Sequence, residues 1–294
     1  MKKIAFAGLG SMGLPMATNL VKRGFEVHGC DISSKSLEAF SAIGGKATAN
    51  AVEAATGKDV LLLMVVNAAQ AETVLFGTGA IDALSENAVV CLMATCPPNA
   101  VEKIATRVEA TGRRFVDAPV SGGTAGAINA SLTIMAACDT PTFEAISPVF
   151  DAIGKRIFHV GNKAGQGATF KAVNQLLCGV HIAVVAESFA LAAKAGVDLD
   201  ILLEIMSGSA ASSWMLKDRG PRMLESDPEV TSAVDIFVKD LSIVLDTGRE
   251  KKAALPLAAI AHQMFLAASG RGEGSADDSQ VIRSYYAING DRAT

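Results

Sequence analysis

The chain has 294 residues, half of them apolar and 19% charged, so it is long enough for two domains and too apolar for a disordered protein. Its 26 basic and 30 acidic residues give a net charge of −4 with no Lys/Arg run, which argues against a nucleic-acid partner. Cys30, Cys91, Cys96, Cys138 and Cys178 form no CxxC pair, and His28, His159, His181 and His262 form no HExxH or HxxxH pair. Neither a disulfide framework nor a metal site is expected, and the pattern fits a reducing cytoplasm.

The N-terminal run MKKIAFAGLGSMG is interrupted by Gly8, Gly10 and Gly13 and is too short to span a membrane; it reads as a buried strand, with no membrane segment expected. Ile4–Ala7 is a strand, Met12–Lys22 a helix, Glu26–Cys30 a strand and Lys35–Ile43 a helix. Apolar runs at Val60–Val65, Ala88–Met93 and Phe115–Val116 continue the alternation, and Ser131–Ala136 and Arg156–Val160 extend the sheet. This pattern predicts an α/β Rossmann-like N-terminal domain, a mostly parallel sheet with helices on both faces. From Gly167 onward helical periodicity takes over: the apolar stretch Phe170–Ala195, then Leu199–Met206, Ala233–Lys251 and Pro256–Ala268. An all-α C-terminal domain follows, with the boundary in the glycine-rich segment Asn162–Gly167: 1–163 for the cofactor, 164–294 for substrate and oligomerisation.

Gly8-Leu9-Gly10-Ser11-Met12-Gly13 is a GxGxxG between a strand and a helix, and Asp31 follows 18 residues after Gly13 at the end of the second strand. Gly8 permits the tight turn, Gly10 the close approach of a pyrophosphate, and Gly13 the packing of helix on strand. The helix N-terminus offers N–H groups and partial positive charge to phosphates. A carboxylate at position 31 suits the ribose hydroxyls of NAD and repels the extra phosphate of NADP. Ile32-Ser33-Ser34 supplies no arginine for such a phosphate, so the expected cofactor is NAD.

In the segment Gly161–Asn174, a glycine-rich approach leads into a helix on which Lys171, Asn174 and Cys178 share a face. An ammonium and an amide on an otherwise apolar helix are costly to bury without partners, which points to a cleft. Oxidation of an alcohol needs a base for the hydroxyl proton. Lysine serves when its pKa is drawn toward the working pH, as desolvation and a nearby positive charge do; an oxidised nicotinamide ring and Lys239 are candidate sources. Spacing alone leaves open a surface lysine with its stem on apolar ground. Val116–Gly123 leaves a strand end through Pro119 and two glycines. Its backbone N–H groups and the Ser121 hydroxyl could hold a carboxylate, or the segment is a plain turn. No GxSxG surrounds Ser121, which argues against a hydrolase.

With GLGSMGLPMATNL at 8–20, DAPVSGG at 117–123, GNKAGQGATFKAVNQLL at 161–177 and VKDL at 238–241, the chain resembles the β-hydroxyacid dehydrogenase (3-hydroxyisobutyrate dehydrogenase-related) family over nearly its whole length. The resemblance implies a Rossmann-like domain and an all-helical domain with the active site between them, and Lys171 as the catalytic residue. It also implies substrate contacts from Ser121, Gly122, Gly123, Lys171 and Asn174, and cofactor contacts from the Gly8–Gly13 turn, Asp31, Val65, Thr95 and Lys239. Thr95 falls near the nicotinamide ribose. Dimers or tetramers through the helical domain are expected. Within the family, the stretches 212–224, 232–247 and 255–272 are most similar to those of members acting on the four-carbon sugar acid L-threonate, oxidised at C2. Tartronate semialdehyde and 3-hydroxyisobutyrate are alternative substrates; Ser212, Ser213, Trp214 and Lys217 are candidates for the contacts that distinguish them. A non-catalytic reader of modified peptides on the same fold is the reading from another class, and the presence of Lys171 counts against it. Cys96-Pro97-Pro98-Asn99 departs from the family's more polar helix start, and a packing role is expected for Cys96. Residues 274–279 read as a turn and helix cap.

Overall fold

The computed structural model describes residues 2–290. Among them, nine strands form one sheet: β1 (Lys3–Ala7), β2 (Glu26–Cys30), β3 (Lys46–Thr48), β4 (Val60–Leu63), β5 (Val89–Leu92), β6 (Arg114–Asp117), β7 (Val120–Ser121), β8 (Leu132–Ala137) and β9 (Gly154–Gly161). The order is β3-β2-β1-β4-β5-β6-β8-β7, with β9 also paired to β8. The first six strands are parallel, and β8 joins β6 antiparallel through a single pair, Asp117 with Ala137. β9 runs parallel to β8.

Why these runs are apolar at every position follows from the layers. Alternate residues of a strand point to opposite faces, and here both faces are covered. Ile4, Phe6, Val60, Leu62, Val89 and Cys91 enter one apolar cluster, while Ala5, Ala7, Leu61, Leu63, Val90 and Leu92 enter the other. Helix starts are set locally: Ser33, Asn50, Asn67 and Asp139 each accept a backbone N–H in the first turn of the helix that follows. Pro98 opens the helix Pro98–Glu109 at the position where its missing N–H costs nothing, so the Cys96-Pro97-Pro98 departure shapes a helix start. Cys96 itself is buried.

Two strands escaped the sequence reading. β3 is a three-residue edge strand and β7 a two-residue one, both too short to show a period of two. Residues 116–123 are therefore not one open turn: after Pro119, Val120 and Ser121 pair antiparallel with Ile134 and Thr133 of β8.

The chain divides into two compact units, one ending at Lys171 and the other starting at Ala172, inside the helix Gln166–Lys194. The second unit is helical. Ile182, Ala186 and Phe189 of the long helix pack with Leu216, Phe237, Leu241 and Phe265. By length and composition this helix is apolar enough to cross a membrane, and its buried residues make it a core helix of the unit. Asp277 caps the turn Asp278–Val281, as expected of residues 274–279, and accepts the Thr231 N–H. Asp278, wholly buried, accepts a two-pronged pair from Arg219 at 2.9 and 2.8 Å, which ties the helix Trp214–Met223 to this turn.

Candidate active site

The carboxyl ends of β1, β4, β5 and β6 line one edge of the first unit, where doubly wound sheets bind ligands. Gly8 leaves β1 at φ +96°, a conformation that favours glycine, and a Cβ there would strike the Met64 carbonyl and approach Val65 N. A Cβ at Gly13 would collide with the Gly8 carbonyl, so the helix Gly13–Lys22 packs onto the turn only as glycine. Gly10 is exposed and a Cβ there meets nothing within 4 Å, which leaves the turn open to a ligand's phosphates. Asp31 lies against this turn: its carboxylate accepts from Leu9 N at 2.6 Å and from Ser33 N at 2.8 Å. Val65 follows β4 beside Gly8, and Thr95 follows β5 on the same edge. Ile32, 98% exposed, is apolar, and no positive side chain follows Asp31 until Lys35.

At the end of β6 the sequence reading passed over Asp117. Its side chain is buried (1% exposed), and its Oδ2 accepts from Gly165 N at 2.9 Å and Ala168 N at 3.0 Å. Burial pushes its carboxyl up to about 7, against the pull of backbone N–H bonds from Ala168, Gly165 and Gly167. The signal was present in part: a carboxylate that follows the buried Phe115 and Val116 on a strand must find donors. Its partners lie about 50 residues further on, beyond the reach of a local pattern. Ser121 is half-buried on β7, and Gly122 and Gly123 adopt φ of +132° and +61° at the start of the short helix Gly123–Ile128. Lys171 stands in the second turn of the helix Gln166–Lys194 and is 8% exposed.

Asn174 and Lys239 belong to the second unit. Asn174 is half-buried, and the Cys178 thiol donates to its Oδ1 at 3.8 Å, as their i, i+4 spacing allows. Lys239 is ion-paired with Asp240 at 2.5 Å. Asp240, 2% exposed, takes a second bond from Gln175 at 2.5 Å, so one buried carboxylate joins the long helix to Lys239. Gln175 and Asp240 were also missed, because each hides behind the neighbouring residue that carried the motif. Ser213 caps the helix Trp214–Met223 through Leu216 N.

A 3-2-1-4-5-6 strand order, a glycine turn and a carboxylate held beside it define a dinucleotide-binding protein of the doubly wound class. The turn's residues fit NAD: its glycines are required by the backbone at positions 8 and 13, and Gly10 leaves open space. Residues 3–161 match the NAD-binding domain of 6-phosphogluconate dehydrogenase, and residues 165–285 match the NAD-binding family of NADP-dependent 3-hydroxyisobutyrate dehydrogenase. The chain is 43% identical to L-threonate dehydrogenase of Cupriavidus necator over 98% of its own length and 97% of the relative's. It is 40% identical to L-threonate dehydrogenase of Haemophilus influenzae over 97% of this chain and 96% of that one. A crystal structure of 3-hydroxyisobutyrate dehydrogenase from Salmonella typhimurium superposes with a TM-score of 0.92 at 37% identity, covering 96% of this chain and 99% of the other. The chain belongs to the β-hydroxyacid dehydrogenase (3-hydroxyisobutyrate dehydrogenase-related) family. It is an NAD-dependent hydroxyacid dehydrogenase.

Proposed function

We propose that this enzyme oxidises L-threonate at C2 to the 2-oxo acid, with Lys171 as the acid/base. The observation that carries the chemistry is Lys171 itself: an ammonium-bearing side chain, 8% exposed, five residues into the helix that follows the glycine-rich segment. A basic group withdrawn from water at that place is suited to exchange a proton with a bound hydroxyl. The two relatives named for L-threonate support the substrate.

Bound NAD supplies the hydride acceptor. Lys171 Nζ takes the hydroxyl proton as the substrate's C–H bond breaks, and returns it to the carbonyl oxygen in the reverse direction. The Ser121 hydroxyl and the backbone N–H groups of Gly122 and Gly123 hold the substrate carboxylate, and Asn174 holds the substrate beside Lys171. Gly8, Leu9, Gly10, Ser11, Met12 and Gly13 cradle the pyrophosphate and Asp31 the ribose, with Val65, Thr95 and Lys239 as further cofactor contacts. We place the functional division at 163/164, with the cofactor on the N-terminal side. A soluble cytoplasmic homodimer or homotetramer completes the reading.

The likeness to a 3-hydroxyisobutyrate dehydrogenase structure keeps a second substrate in play, and a tartronate semialdehyde reductase would use the same proton carrier. What separates them is the far end of the substrate, since a site built to bind hydroxyls rejects analogues that lack them. Lys171→Ala tests the shared chemistry. It is expected to lower kcat by about 10³-fold or more while NAD affinity stays within about twofold. Near-normal kcat in that variant removes Lys171 from the reaction.

A further inference from the structure

Most helix caps in this protein are local and near the surface: Ser33, Asn50, Asn67, Asp198 and Ser213 each reach an N–H two or three residues ahead. The helix that carries Lys171 starts differently. Its first N–H groups are held from 48 and 51 residues away by Asp117, a carboxylate sunk to 1% exposure at the end of β6. A neutral cap would satisfy the same donors without the desolvation cost of a buried carboxylate. What the carboxylate adds is strong, charge-assisted bonds between a strand end and the helix start.

The surrounding fit is equally tight. A Cβ at Gly167 would lie 2.6 Å from the Met135 carbonyl oxygen and 2.7 Å from that of Asp117, so the helix start touches the end of β6 and the backbone of β8. Gln166 Oε1 accepts from Lys163 N at 2.9 Å, and the Thr169 hydroxyl donates to the Gly165 carbonyl at 2.7 Å. Lys171 lies three residues beyond Ala168, less than one helical turn, so a displacement of the helix start passes to it almost undiminished.

We propose that Asp117 is a positioning residue for hydride transfer: by gripping the N–H groups of Gly165, Gly167 and Ala168 it fixes where the Lys171 ammonium is presented. This rests on Lys171 as the proton carrier. Asp117 acts through the helix backbone, so its loss falls on kcat and leaves cofactor binding at the Gly8–Gly13 turn intact. A misplacement on the order of 1 Å at a reacting group costs about 100-fold in rate.

The test uses full-length Asp117→Ala, Asp117→Asn and Gly167→Ala with steady-state kinetics and NAD binding by fluorescence. Asp117→Ala is expected to lower kcat about 100-fold, with NAD affinity within about twofold. Asp117→Asn, which keeps an acceptor oxygen, recovers about tenfold of that loss. Gly167→Ala pushes the same helix start away from Asp117 and Met135, and its loss is likewise in kcat. Equal losses for Ala and Asn, parallel losses in kcat and NAD affinity, or unchanged kcat overturn the proposal, as does failure of both the Asn and Gly167→Ala proteins to fold. Lys171→Ala, measured alongside, separates the two ideas. If it stays active the catalytic reading has failed; if it is dead and the Asp117 variants are normal, only the positioning role has.

Discussion

Asp31 does two things with one carboxylate. It accepts from Leu9 N and Ser33 N, which ties the glycine turn to the end of β2, and each oxygen keeps a lone pair for a ligand hydroxyl. A phosphate on the same ribose would meet this negative charge with no arginine at positions 32–34 to offset it. The kcat/KM with NADP should therefore lie about 100-fold below that with NAD, equivalent to ~2.7 kcal/mol. Equal values for the two cofactors in an initial-rate comparison would sink the charge argument. Asp117 and Asp240 sit inside the motifs at 117–123 and 238–241, which did not disclose what either carboxylate holds. Each is a buried carboxylate with at least one donor from a distant stretch of chain, Ala168 for Asp117 and Gln175 for Asp240, and such pairings become legible only when the fold brings the stretches together.

The helix Gln166–Lys194 serves two surfaces. One side fills the core of the second unit. The other carries Phe170, Leu177, Val184 and Leu191, spaced seven residues apart and all exposed. A seven-residue apolar repeat keeps one face of a helix in register with a partner helix. Exposed apolar stripes of this length are costly in water, and a second copy of the chain is the occupant we propose. Light scattering should find the native protein as a dimer or tetramer, and Leu177→Glu with Val184→Glu should reduce its mass toward that of the monomer. A native monomer, or a double variant of unchanged mass, contradicts this. The stripe was visible in the sequence only as general apolarity. Which residues are exposed depends on how the helix is rotated in its unit, and periodicity alone does not fix that rotation.

For the molecule as a whole, the elements that sequence patterning located were those whose signal is local. Glu26–Cys30 and Pro256–Ala268 fall where the pattern placed them, and the glycine turn sits between β1 and its helix because Gly8 and Gly13 answer backbone demands at that point. The strand order, the antiparallel joining of β8 to β6 and the insertion of β7 arise from long-range pairing, for which residues 114–137 carry no local code. The division into a cofactor-binding and a helical unit could be read, since the change from alternating to helical periodicity near Gly167 is a change in pattern. Its structural position, four residues beyond Gly167 and inside a continuous helix, could not.

We propose that this fold and Lys171 serve the oxidation of a polyhydroxylated four-carbon acid. This is tested most directly by initial rates of NAD reduction at mildly alkaline pH with L-threonate, D-threonate, D-glycerate, 3-hydroxyisobutyrate and 4-hydroxybutyrate. The kcat/KM for L-threonate is expected to exceed each of the others by about tenfold or more. A higher value for 3-hydroxyisobutyrate or D-glycerate would contradict the substrate assignment, and no turnover with any of the five would contradict the assignment of this site to small hydroxy acids.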